Sequence, residues 1–408
     1  MKRILILALG LLTLVHPAPA QQAKRASYAE VFETVWRTVN DNFYDPAFGG
    51  VDWKAMRQKY SADVAKAADD AAFQSVVSRM LGELKASHLY LRPAQPSGTG
   101  IAVKTRTIDG KSIVYEIAPA SDAMVAGMKV GDELITPVGV GPVGSQATIR
   151  FLRCDGKESE RRVRRERAWW PPEYPSLRWR TIEKESGKRI GYIKSGRFDD
   201  DAAPLIDAAM SDLKNTDALI IDVRENSGGN LSALRLASYF IREPRMVVAL
   251  LTRTYLSREG SAREQLEVGR LPRVTGAYTT EAILDAMKNN GGGAAFYSEK
   301  TPYAYQGKVV VLVSPETGSA GEGFAWMMKG LKSVTLVGGP TAGVLLGGEP
   351  FKLPGGWTLT VPTHASWGPD GKRYVDQSVK PDLEVAWTRA DVCEQRDPDV
   401  TRALEILR

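Results

Sequence analysis

Histidine is scarce in this 408-residue chain, with three copies, and cysteine scarcer still, with two. So few histidines weigh against a histidine-rich metal enzyme, and two cysteines exclude a disulfide-stapled miniprotein. The apolar run Ile4–Val15 is short of the ~20 residues that cross a bilayer as a helix, and no later stretch approaches that length. Excess charge is also small, at +6, so a nucleic-acid partner is not expected. The one dense basic run, Arg161–Arg167, reads as a solvated strand face. A content of 43% hydrophobic and 25% charged residues excludes disordered and collagen-like chains. The length exceeds what one core usually supports, ~250–300 residues, so two or three domains are expected.

Lys2 and Arg3, the short apolar run and Ala18-Pro19-Ala20 together make a secretory signal peptide over residues 1–20. Its removal takes two cationic groups, leaves a net charge of +4, and leaves His88 and His364 as the mature histidines. Export implies an oxidising, periplasmic setting, which permits a Cys154–Cys393 disulfide without requiring one. The two cysteines look as if they sit in different domains, and the preferred expectation is that both are unpaired. No membrane span is expected after signal cleavage.

Residues 21–95 read as a helical domain. Ser27 with Glu30 makes a capping box, and Val31, Phe32, Val35 and Val39 recur at helical spacing. A later pattern through Phe73, Val77, Met80 and Leu84 ends at Ser87-His88. Residues 96–168 turn to glycine-rich strand patterns. A short helical piece, Ala123–Gly127, precedes Lys129–Ile135 (KVGDELI), an order that resembles a PDZ domain. By that resemblance Gly100 and Ile101 belong to a loop that captures a peptide carboxylate. Residues 169–390 alternate apolar strands and amphipathic helices, an α/β arrangement with helices covering a sheet. Within it, about 255–305 reads as an irregular insertion with one helix at Glu281–Lys288. Residues 391–408 form a C-terminal tail or helix.

Two strand-to-helix turns carry the chemistry. In the first, after Ala218–Val223, Gly228 and Gly229 free backbone N–H groups to face a cleft, which suits an oxyanion hole. The plain alternative is a tight turn. In the second, after Val309–Val313, Ser319 stands at a helix start among small residues (GSAGEG). It reads as an exposed nucleophile or as an N-cap serine with Glu322 closing a capping box, and the two readings are compatible.

The series ALIIDVRENSGG, VVVLVSPETGSAGE, TLVGGPTAG and VKPD, preceded by the PDZ-like segment, resembles the C-terminal processing (tail-specific) peptidases. The resemblance implies a crotonase-like ββα catalytic core. It implies Ser319 as nucleophile, an acid three residues on at Glu322, and oxyanion donors at Gly228, Gly229 and Ala320. One branch of that family activates its serine with a lysine 25 residues downstream. Val344 occupies that position here, and valine accepts no proton. The other branch, similar to the tricorn core, uses a histidine in a Ser-His pair, and Leu84–Tyr90 (LKASHLY) matches that context. The resemblance therefore implies His88 as general base, with Ser87 orienting it. The branch's orienting Glu aligns with Val375. Asp376, one residue away, either substitutes for it or the acid is absent. His364 falls in a variable loop by resemblance and reads as a surface or cleft-rim residue. Lys329 and Lys332 read as solvated charges on the helix after Ser319.

The expected function is that of a secreted serine endopeptidase acting on proteins or peptides, with no cofactor or metal. The alternative is a catalytically silent peptide- or ligand-binding protein on the same fold. A crotonase-type acyl-CoA enzyme fits neither the signal peptide nor the PDZ-like segment.

Overall fold

A computed structural model describes residues 26–94, 98–170, 176–259, 265–374 and 377–408. The expected signal peptide lies outside the described residues. Among those described, no helix is long and apolar enough to cross a membrane.

The N-terminal part is helical because its apolar residues fall on single faces. The helix Tyr28–Asn42 starts at Ser27, whose hydroxyl accepts from the Glu30 N–H at 3.2 Å, and it buries Val31, Phe32, Val35 and Val39. The helix Asp70–Gly82 buries Phe73, Val76, Val77, Met80 and Leu81. The chain then extends into the strand Tyr90–Arg92, which pairs antiparallel with the strand Thr358–Trp367. Helix faces and sheet therefore share one apolar cluster, in which Phe73 and Val77 meet Leu359, Val361 and Trp367.

The central six-stranded sheet is mostly parallel. Ala218–Asp222 lies between Arg189–Ser195 and Lys308–Val313, with Val334–Gly338 beyond. Every residue of Ala218–Asp222 is buried, as expected for a strand covered on both faces. Leu219, Ile221 and Val311 point toward the helices Ala202–Leu213, Ser232–Ser238 and Ala320–Met328. Ile220, Val310 and Leu312 point the other way, onto Ala403 and Leu407 of the C-terminal helix region.

Residues 103–164 hold a separate five-stranded antiparallel sheet with its own small core around Val114, Ile149, Phe151 and Val163. Three expectations are corrected here. Residues 255–305 are not simply irregular: Gly293–Tyr297 is a buried strand of a seven-stranded sheet, paired with Met246–Thr252, beside the expected helix at Thr280–Asn289. The cysteines are not free: Cys154 and Cys393 form a disulfide across 239 residues. The C-terminal segment folds back over the five-stranded sheet, a proximity that sequence separation hides. Lys329 and Lys332 lie past the end of the helix Ala320–Met328, and the Lys329 ammonium bonds the Lys380 carbonyl.

Candidate active site

The strands Ala218–Asp222 and Lys308–Val313 are neighbours in register, with Asp222 opposite Leu312. Both chains leave the sheet at the same edge, so their turns lie side by side, where open α/β sheets commonly hold ligands. Three bonds join the turns: Gly318 N–H to the Asn226 carbonyl at 3.0 Å, Thr317 Oγ1 to the Val223 carbonyl at 2.8 Å, and Ser314 Oγ to the Arg224 carbonyl at 2.6 Å.

This bracing holds Ser319 at φ 51°, ψ −120°, a conformation that a side chain rarely adopts. The Ser319 N–H donates to the Val344 carbonyl at 2.9 Å. Its hydroxyl makes no cap to the following helix, which corrects the N-cap reading. Ser319 instead lines a cavity of about 560 Å3, together with His88, His364, Gly229 and Ala320.

Gly228 and Gly229 both need the absence of a side chain. A Cβ on Gly228 would stand 2.8 Å from Ser319 Cβ, and one on Gly229 would stand 2.0 Å from the Phe198 carbonyl oxygen. Their N–H groups differ. Gly228 donates to Asn226 Oδ1 at 3.0 Å and is committed within the turn. Among the described residues, nothing accepts from the Gly229 or Ala320 N–H.

His88 follows the helix Asp70–Gly82 at φ 55°, with the Ser87 hydroxyl 3.1 Å from its Nδ1. Its Cβ packs on Gly348, where an added methyl would come within 2.8 Å. His364 is not on a loop. His364 sits within the strand Thr358–Trp367, paired between Gly347 and Thr252, and its ring covers Gly347. Thr363 Oγ1 lies 3.2 Å from its Nδ1. Desolvation, and then positive charge on His88, push the His364 pKa down to about 4. This imidazole is neutral near neutral pH.

Glu322 does not face the cavity. Fully buried, it accepts from the Thr341 hydroxyl, from Gly343 N–H at 2.9 Å and from Val344 N–H at 2.7 Å. Val344 stands against Gly318, its Cγ2 3.0 Å from where a Cβ would be. Gly100 and Ile101 precede the first strand of the five-stranded sheet and are absent from the cavity lining. Gly100 accepts from Glu166 N–H, and Ile101 is buried in that sheet's core. Asp376, with Val375, lies outside the described residues.

Residues 189–385 match peptidase family S41, and residues 24–82 match the tricorn protease C1 domain. Residues 189–385 thus belong to peptidase family S41, a family of serine peptidases. Tricorn protease homolog 1 of Streptomyces coelicolor is 24% identical over 93% of this chain and 35% of its own length. The carboxyl-terminal-processing protease of Picosynechococcus sp. is 24% identical over 65% of this chain and 70% of its own. The chain thus spans about a third of the tricorn relatives it matches. Among solved structures, mature CPAF aligns over 93% of this chain and 95% of that one, with a TM-score of 0.64 at 14% identity. The photosystem II D1 C-terminal processing protease aligns over 94% and 97%, with a TM-score of 0.54 at 18% identity. These structural likenesses are likenesses of fold.

The site also holds residues outside the motifs that the sequence made legible. Asn226 is fully buried and pins both turns: its carbonyl accepts from Gly318 N–H and its Oδ1 from Gly228 N–H, while its amide nitrogen donates to the Ser195 carbonyl and hydroxyl at 3.2 and 3.0 Å. Arg224 ties the first turn to Asp222, Asp397 and Asp399 at 2.7–3.0 Å. The arginine and the asparagine just before the paired glycines were the available signals, and neither had been given a role.

Proposed function

We propose that this chain is an exported serine endopeptidase in which Ser319 attacks the scissile carbonyl and His88 is the base. His88 takes the Ser319 proton, then returns it to the leaving amine. Gly229 and Ala320 N–H groups hold the developing oxyanion, while Gly228 locks the turn through Asn226. An acyl-enzyme forms, and water resolves it. Ser87 orients the imidazole through Nδ1, and Asp376 is the candidate for further orientation. Glu322 acts indirectly, by fixing the loop that accepts the Ser319 N–H. The observation that carries this reading is a strained serine, making no helix cap, in one cavity with His88.

Substrates are proteins or peptides, in keeping with the names of the relatives. The five-stranded sheet, read as a PDZ domain, takes a substrate's C-terminus at Gly100 and Ile101. Residues 1–20 direct export to the periplasm, and N-terminal sequencing of the mature protein tests that cut. Activity is tested by casein digestion. Ser319→Ala and His88→Ala should each lower cleavage by roughly 10⁴-fold or more. Equal digestion by all three proteins would sink the reading. No digestion by the wild type would favour a silent binding protein instead.

A further inference from the structure

The segment between the last strand and the last helix does something the catalytic reading leaves unused. Both its ends are anchored in the core. Leu383–Glu384 pairs with Val337 and Gly338, and helix Pro398–Ile406 packs Ala403 beneath the sheet. Between them the chain reaches out to the five-stranded sheet. There Val392 joins an apolar cluster with Ile108 and Ile113. Arg389 donates to the carbonyls of Gly131 and Leu152 at 3.1 and 2.6 Å. The Cys154–Cys393 disulfide lies flat on Gly131, where a Cβ would stand 2.4 and 2.7 Å from the two sulfurs.

The same contact reaches the two catalytic turns. Arg106, on the five-stranded sheet, is stacked between Tyr115 and Trp387, at 5.1 and 5.0 Å from the ring centres. Its Nε is buried without a hydrogen-bond partner among the described residues and faces Glu316 Oε1 at 3.6 Å. Glu316 accepts from Ser314 Oγ at 2.6 Å, and Ser314 belongs to the turn that ends in Ser319. On the other side, Trp387 donates to Asp399 at 3.0 Å, and Asp399 pairs with Arg224 of the glycine turn at 3.0 Å. A closed ring of contacts therefore runs from the small sheet through both turns and back through the C-terminal segment.

We propose that residues 385–397 are a strap, closed by the Cys154–Cys393 disulfide, that docks the five-stranded sheet so that Arg106 acts as a positioning residue for the Ser319 turn. Closing the strap removes two protons and two electrons from the cysteine thiols, accepted by a disulfide oxidant through exchange. Opening it needs a dithiol reductant. The consequence is an enzyme whose chemical step is set by the redox state of a bond remote from the cleft. The proposal rests on Ser319 being the nucleophile.

The test uses the full mature chain and a fluorophosphonate probe, with peptide kinetics alongside. Treatment with dithiothreitol, or the pair Cys154→Ser with Cys393→Ser, should slow Ser319 labelling roughly tenfold and lower kcat, with KM little changed. Arg106→Ala should do the same with the disulfide intact, Arg106→Lys should recover part of the rate, and Arg106→Ala combined with the serine pair should add no further loss. Circular dichroism on the reduced wild type separates this from unfolding. Reduced, folded protein that labels at the wild-type rate overturns the strap, as does loss in Arg106→Ala with none in the serine pair. An oxidised wild type that never labels overturns the peptidase reading instead.

Discussion

Ser319 keeps its left-handed backbone because three bonds between neighbouring turns and the Val344 carbonyl leave it no other position. His364 shows how enclosure sets a charge state beside it. Its folded pKa, about 4, lies below its ordinary value of 6.5. Between those values the unfolded chain binds a proton that the folded chain does not. Stability therefore rises with pH across that window: the contribution is complete above pH 6.5 and is lost as pH falls toward 4. The upper bound is ~3 kcal/mol, reduced by whatever water enters the cavity. His364→Gln should flatten the stability profile between pH 6.5 and 4, measured by urea denaturation at stepped pH. An unchanged slope would contradict the desolvation of this ring. The resemblance placed this histidine in a variable loop, and Pro362, two residues before it, interrupts the pattern that would have announced a strand. In the fold, Pro362 lies opposite Gly348 at an irregularity in the pairing, so the strand passes through it.

At the scale of elements, the buried strands were legible because a run such as ALIID or VVVLV, covered on both faces, has no polar alternation to confuse. The helix from Ser27 was legible through its cap. Gly293–Tyr297 was not, since its small residues lack strand propensity and its burial comes from Met246–Thr252 alongside. Site legibility followed the same division. Turn glycines and the Ser-His pair stand in local motifs, whereas the Glu322 contacts join residues 19 to 22 positions apart. In Glu322→Gln an amide N–H would face a donor that the carboxylate now accepts. That change should cost ~1.5–3 kcal/mol in a urea titration and slow catalysis by loosening the Val344 carbonyl. A loss below ~0.5 kcal/mol would mean that the loop does not depend on this carboxylate.

The whole molecule is held by contacts that no local pattern announces. The helical part is stitched to the sheet by Tyr90–Arg92, and the C-terminal segment bridges the small sheet and the core. Composition allowed a disulfide, but only the folded path brings Cys154 and Cys393 to a Cα separation of 5.8 Å. Replacing both with serine should lower unfolding free energy by ~2–4 kcal/mol, read as an earlier denaturation midpoint under non-reducing conditions. Coincident midpoints would show that the bond constrains little. These scales meet at Ser319, and one measurement bears on them most directly: the mass-mapped site and rate of fluorophosphonate labelling in wild type and His88→Ala. A single adduct on Ser319, formed orders of magnitude more slowly without His88, is the predicted result. Labelling elsewhere, or at Ser319 with equal rates in both proteins, would contradict it.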